Sequence, residues 1–181
     1  MYEAFRARAE AVSAEVHRVA TRREALDFVA DHLRREGVSD APQARAVWAD
    51  DGRLTSAEHD GLAARTPGLT FAVTKEAAAD SRVGVSEMEW GLADTGSVFQ
   101  NATDPALRLV STLPPQHVAL LRADRIIPDL RSLLERVDPG RAPYLSLITG
   151  PSRTADIERV LTIGVHGPER LIVVCYDGGG E

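Results

Sequence analysis

Apolar positions along this 181-residue chain follow two rhythms, and the switches between them outline its elements. Leu26, Val29, Ala30 and Leu33 recur at the spacing of one helix face. Thr21-Arg-Arg-Glu24 precedes them as a capping box, in which the hydroxyl accepts the N3 amide and Glu24 reaches back. Gly37 stands where a helix ends in a left-handed residue. A helix over 22–36 follows. Residues 2 to about 13, rich in Ala, Glu and Arg with no breaker, predict a second helix that needs the domain for support.

Elsewhere the apolar runs are short. Glu15–Val19 alternates as a strand does, and 46–48, 70–73, 83–86, 90–92, 97–99, 108–110 and 117–121 read as further strands. Turn residues punctuate them at Asp94-Thr-Gly96, Asn101 to Pro105 and Pro114-Pro115. The polar stretch from Asp50 to Pro67 reads as a helix-and-loop connection of undetermined outline. Asp129 caps a helix bearing Leu130, Leu133, Leu134 and Val137, which Asp138-Pro139-Gly140 stops. Last come the run 144–148, a polar turn, a helix with Ile157, Val160 and Leu161, a second polar turn, and the run 171–176.

Strand, helix and strand in that order read as a βαβ crossover, with the two strands parallel and flanking the middle of a sheet covered on both faces. The expected fold is therefore α/β, a mainly parallel sheet flanked by helices. It forms a single domain over 1–181, with a helical N-terminal extension at 1–14 and a flexible tail at 178–181.

Composition narrows the function. Hydrophobic residues make up 44% and charged residues 27%, the balance of a globular protein rather than a disordered or membrane one. A net charge of −6 with scattered cations argues against nucleic acid as a partner. Lys75 is the only lysine, and its surroundings are no Gly-rich phosphate loop. The one cysteine, Cys175, supports neither a disulfide framework nor a four-cysteine cluster, so the chain cannot hold an iron–sulfur centre alone, and no cofactor is assigned to it. No His/Cys/carboxylate grouping has metal-ligand spacing. The N-terminus lacks an apolar signal region, and no run reaches the roughly 18 apolar residues of a membrane span. A cytoplasmic location is the expectation.

Candidate chemistry gathers in two polar, Gly-rich stretches. After the run ending at Ile148, Thr149, Gly150, Ser152, Arg153 and Thr154 offer hydroxyls, a close-approach glycine and a guanidinium fork at the start of the expected helix. That is a place suited to a carboxylate or phosphate. N-capping by Ser152 or Thr154, with Asp156 and Glu158 set against the dipole, explains the same residues without a ligand. Gly150-Pro-Ser152-Arg-Thr154 begins like a nucleophile elbow, but its last position is Thr and no triad partner is legible. Asp94, Thr95, Gly96 and Ser97 form a tight turn, for which a plain hairpin is the simpler account. His166 is a conditional candidate. So is Glu87, an acidic residue beside that turn and close to Glu89, which serves as acid or base only if buried.

The segments A-D-T-G-S at 93–97, T-G-P-S-R-T-A-D-I-E at 149–158 and G-V-H-G-P at 164–168 together resemble the LUD-domain family, in particular its lactate utilisation C group. The resemblance covers Val83 to Asp177 in the family's order, with Asp-Thr-Gly-Ser standing where members often have Glu-Thr-Gly-Thr. It implies a fold similar to the sugar-phosphate isomerase and CoA-transferase-like group. It also implies a cluster-free subunit of a bacterial system oxidising L-lactate to pyruvate, with cysteine-rich iron–sulfur partner proteins carrying the clusters. No dinucleotide fingerprint follows any expected strand, which places the electron acceptor on a partner. The site residues above would then hold a small carboxylate or phosphate. The alternative is a stand-alone enzyme or binding protein for a phosphorylated or CoA-linked small molecule. Whether the chain is itself catalytic, and whether it forms a homo-oligomer, stay open at this level.

Overall fold

The computed structural model describes residues 1–153 and 167–178. Within them the chain builds a six-stranded sheet whose strands all run parallel. In chain order its strands are β1 (Glu15–Val19), β2 (Arg45–Ala49), β3 (Leu69–Thr70), β4 (Ser81–Met88), β7 (Gln116–Arg122) and β10 (Arg170–Tyr176). In space the order is β1-β10-β7-β4-β2-β3. The α/β fold with a mainly parallel sheet is as expected.

Strand β10, flanked by β1 and β7, shows why the sheet needs helices on both sides. Ile172, Val174 and Tyr176 join one buried cluster with Leu26, Val29, Ala30 and Leu33 of helix α2 (Arg22–Arg35). Leu171, Val173 and Cys175 join another with Phe5 and Ala9 of helix α1 (Tyr2–Ala11). Successive side chains point to opposite faces, so burial on both faces demands an unbroken apolar run. Each fully buried Leu, Val or Ile contributes roughly 1.5–3 kcal/mol. Further along the sheet, helices α4 (Lys75–Ala79) and α5 (Pro105–Thr112) pack Ala78, Leu107 and Val110 against Val47 and Ala49. Helix α3 (Ser56–Arg65) sets Leu62 into the α2 cluster.

A second sheet contains β5 (Trp90–Leu92), β6 (Ser97–Asn101), β8 (Ile126–Ile127) and β9 (Leu145–Ile148), ordered β8-β5-β6-β9. Helix α6 (Leu130–Leu134) covers it through Leu133, which clusters with Leu92, Phe99 and Ile127.

The α2 expectation holds nearly to the residue. Thr21 Oγ1 accepts from the Glu24 amide at 3.1 Å, and Gly37 has φ +73°. The reach-back differs, because Glu24 accepts from the Ala20 amide at 2.8 Å, one residue before the cap. Within Asp50 to Pro67 lies α3, where Thr55 and Glu58 form a complete capping box.

Three expectations are corrected. Residues 108–110 are helical, because Asp104 caps the Ala106 amide and Pro105 opens α5, where its missing N–H costs nothing. The strand expected at 70–73 shrinks to Leu69–Thr70, on an edge of the sheet. The runs 144–148 and 171–176 are not partners in one parallel sheet. β9 lies antiparallel to β6, with Val98 opposite Ile148, and leaves Leu147 exposed. The helix expected over Ile157, Val160 and Leu161, together with Thr154, His166 and residues 179–181, lies outside the described residues. No helix among the described residues is long and apolar enough to cross a membrane.

Candidate functional site

Because all six strands run the same way, their carboxyl ends share one edge. Val19, Tyr176 and Arg122 are successive register partners there, and Met88 lies opposite Leu121. Ligands of open parallel sheets lie beyond this edge. Here it opens into a cavity of about 650 Å³. Its walls carry Arg22, Arg53, Glu87, Trp90, Arg125 and Arg136, and also Arg122, Tyr176 and Gly178.

Strand parity delivers the floor. Glu87 lies two residues beyond Val85 and Tyr176 two beyond Val174, so both share the α2 face with the apolar cluster below. Arg22 is the first residue of α2, directly after β1 and its cap. Its Nη1 donates to both Glu87 carboxylate oxygens, at 3.0 and 2.9 Å, and to the Tyr176 hydroxyl at 2.9 Å. Its Nε donates to Glu58 at 3.1 Å, and its Nη2 to the Arg53 carbonyl at 2.9 Å. The Tyr176 hydroxyl in turn donates to Glu87 Oε1 at 2.5 Å.

Glu87 is 6% exposed, so this acid is buried but fully partnered. Burial works against the Arg22 charge, yet the Glu87 and Glu58 carboxylates outweigh it and raise its pKa. Burial, and then the hydrogen bond to Glu87, push the Tyr176 phenol upward, so it remains a proton donor across the physiological range.

Above this floor stand more guanidiniums. Arg53 donates to the Glu87 and Met88 carbonyls at 3.4 and 3.3 Å and pairs with Asp51 at 3.0 Å. Burial raises the Asp51 pKa against that pairing. Arg122 makes a two-armed contact with Asp124 at 3.1 and 2.7 Å. A Cβ on Gly178 would come within 2.7 Å of the Arg122 guanidinium. Gly178, expected to begin a frayed tail, is thus part of the wall. Arg125 and Arg136 lie over the Trp90 indole, with Cζ 4.8 and 5.8 Å from the ring centroid. The lining acids besides Glu87 are committed elsewhere. Asp177 pairs with Arg18 at 2.9 Å, and Glu89 accepts the Asn101 amide at 2.7 Å. What remains is a cavity with surplus positive charge on an acidic chain, suited to an anion.

The two Gly-rich stretches come together, but at the C-terminal end of α1. Ser97 Oγ donates to Thr95 Oγ1 at 2.8 Å and lies 2.7 Å from Thr149 Oγ1. Gly96, at φ +69°, faces the backbone of Arg8 and Ala9, where a Cβ would stand 2.2 Å from the Ala9 nitrogen. Gly150, at φ +71°, faces the Val12 carbonyl at 2.3 Å on the same measure. Arg153 donates to Ser13 Oγ at 2.8 Å, and the Ser152 amide donates to the Pro168 carbonyl at 2.8 Å. Asp94 is exposed. Of the sequence candidates among the described residues, Glu87 lines the cavity, with Glu89 beside it.

Arg22, Arg53, Glu58, Trp90, Arg125, Arg136 and Tyr176 escaped the sequence reading. One signal was available for the first two: each arginine follows a short strand by a few residues, where the turns of a parallel sheet meet.

Two fully buried titratable groups, His117 and Cys175, do not line the cavity. His117, in β7, has Nε2 2.9 Å from Ser86 Oγ, and its Nδ1 has no partner among the described residues. Burial lowers its pKa to about 4. Cys175 is buried as well, and burial pushes its thiol up to about 12. Among the described residues no cluster of three or more His, Cys, Asp or Glu is placed to hold a metal ion.

Fold and site define an α/β protein with a cation-lined cavity at the carboxyl edge of a parallel sheet. The LUD domain model matches residues 2–176, and the chain belongs to that family. It is similar to the uncharacterized protein YkgG of Escherichia coli (strain K12), 35% identical over 106 residues, covering 55% of this chain and 46% of that protein. Lactate utilization protein C of Bacillus velezensis is also 35% identical, over 105 residues covering 55% of this chain and 44% of the relative. The matched stretch thus spans slightly less than half the length of these relatives. A crystal structure of a DUF162 family protein from Deinococcus radiodurans shares the fold, with TM-score 0.64 and 18% identity over 97% of this chain and 95% of that one.

Proposed function

We propose that this protein serves L-lactate utilisation by binding a small carboxylate in the cavity at the sheet's carboxyl edge. In this reading it works in the cytoplasm with cysteine-rich iron–sulfur proteins that accept the electrons. The observation that carries the proposal is the surplus of guanidiniums around the cavity of a chain whose net charge is −6. Relatives named lactate utilization protein C support the choice of substrate. Arg53 and Arg122 are the forks assigned to the carboxylate, which takes them over from Asp51 and Asp124, since a planar guanidinium can bind a carboxylate through two parallel hydrogen bonds. Arg22, saturated by Glu87, Glu58 and Tyr176, holds the floor in place.

Two measurements test the reading. Deleting the gene from a host that uses L-lactate should abolish growth on it, and unchanged growth would reject the pathway. Titrating the purified chain with L-lactate should give saturable heat that Arg53→Ala and Arg122→Ala diminish. Thr149, Gly150, Ser152, Arg153 and Thr154, with Asp94 to Ser97, form the competing anion site, to which His166 is the conditional addition. Loss of binding in Arg153→Ala, with Arg53→Ala unaffected, would move the ligand there.

A further inference from the structure

A three-carbon hydroxy acid leaves most of this cavity unfilled. The cavity volume is about 650 Å³. That lies within the roughly 300–1,000 Å³ that holds drug-sized ligands, whereas lactate has the bulk of only a few waters of ~30 Å³ each. Trp90, Arg125 and Arg136 also line the cavity, and the carboxylate reading does not use them.

These three come from separate parts of the chain. Trp90 opens β5, Arg125 closes the short 3-10 turn Ala123–Arg125 after β7, and Arg136 follows the end of α6. Both guanidiniums lie over the indole, at 4.8 and 5.8 Å, within the range of cation–π attraction. They also differ from the other lining arginines in their partners. Arg22 is tied to Glu87 and Glu58, Arg53 to Asp51 and Arg122 to Asp124. Among the described residues neither Arg125 nor Arg136 forms an ion pair, and Arg136 spends one N–H on the Ser132 carbonyl at 2.6 Å. Two guanidiniums held over one indole and without a carboxylate partner among the described residues match the several oxygens and the double charge of a phosphate group.

We infer that Trp90, Arg125 and Arg136 form a phosphate-binding subsite in the cavity wall, so that the cavity takes a phosphorylated organic molecule rather than a hydroxy acid alone. The phosphate rests on the two guanidiniums, and the body of the ligand extends inward toward Arg22 and Glu87. This inference rests on the cavity being the ligand site and extends the chemistry assigned to it.

The test is calorimetric titration of the full chain with inorganic pyrophosphate and, separately, with inorganic phosphate. Saturable pyrophosphate binding is expected. Arg125→Ala and Arg136→Ala should each weaken it by about tenfold or more, as loss of a charge-assisted hydrogen bond implies. Trp90→Leu should weaken it as well, by releasing both guanidiniums. Arg131→Ala, whose side chain is 89% exposed, is the control and should leave it unaltered. Inorganic phosphate binding as tightly as pyrophosphate would restrict the subsite to a free ion and overturn the larger ligand. Absence of saturable binding, or affinity indifferent to Arg125 and Arg136, overturns the subsite itself. Arg53→Ala separates the two readings. Loss of lactate binding with pyrophosphate affinity retained leaves both standing, while pyrophosphate binding without any lactate binding removes the carboxylate reading alone.

Discussion

The Arg22 guanidinium reaches both carboxylate oxygens of Glu87, at 3.0 and 2.9 Å, across 65 positions of sequence. This contact ties the start of α2 to the end of β4 and fixes the floor of the cavity. Glu87 is buried while Arg22 keeps 27% of its side chain in solvent, so the carboxylate depends on the pair more than the guanidinium does. Arg22→Ala leaves that charge unpaired except for Tyr176. A loss of about 2 kcal/mol is expected, below the figure for a fully buried pair because of the partial exposure. In chemical denaturation the double variant Arg22→Ala, Glu87→Gln should be more stable than the sum of the two single losses. Strict additivity would show that the pair is not coupled.

Buried His117 makes stability depend on pH. Its pKa is lowered in the fold to about 4 from an ordinary value of 6.5. Between those values the unfolded chain binds the extra proton, so stability is full above pH 6.5 and falls as pH drops toward 4. The loss across that window amounts to about 3 kcal/mol at most. His17 and His32 are also lowered by burial and add to the same slope. The contribution of His117 is therefore read as the difference from His117→Gln, whose stability should decline less on acidification. Equal slopes would rule out His117 as a source.

Gly96 and Gly150 should matter to α1 before they matter to any ligand. Both have positive φ, and a Cβ on either would strike the backbone of α1 or of the residues just after it. Gly96→Ala and Gly150→Ala are each expected to cost about 2 kcal/mol or more. Amide hydrogen exchange over residues 2–12 should accelerate in both. Gly61, inside α3 with no atom within 4 Å of the same point, is the counter-case. Gly61→Ala should stabilise by roughly 0.5–1 kcal/mol, as a helix interior favours Ala.

Cys175 should stay silent toward thiol reagents in the native protein. Its side chain is fully buried, and burial pushes the thiol up to about 12, so both access and the thiolate are lacking. Labelling by a maleimide should appear only along the unfolding transition. Fast stoichiometric labelling of the folded chain would contradict this environment.

The elements that the sequence determined are those whose signal is local. Thr21, the Leu26–Leu33 spacing and Gly37 define α2 because a helix face and its caps are decided within a few residues. The unbroken apolar run of β10 announces burial on both sides for the same reason. Leu-Ser-Leu-Ile in β9 carries no such mark: Leu147 is the exposed residue and Ser146 is half-buried, so its antiparallel place beside β6 was set by the partner strand. Asp104-Pro105 did mark the start of α5.

What only the tertiary structure decided is the site. Arg22, Glu87 and Tyr176 meet from positions as much as 154 residues apart, and Arg125 and Arg136 meet on Trp90, because parallel strands bring their carboxyl ends to one edge. A charged residue carries no sequence mark of which distant charge will neutralise it. The sequence therefore determined the family, the helices and the buried strands. The packing of the sheet decided which arginines are already paired and which remain for an anion, because pairing depends on distances through space and not on spacing along the chain.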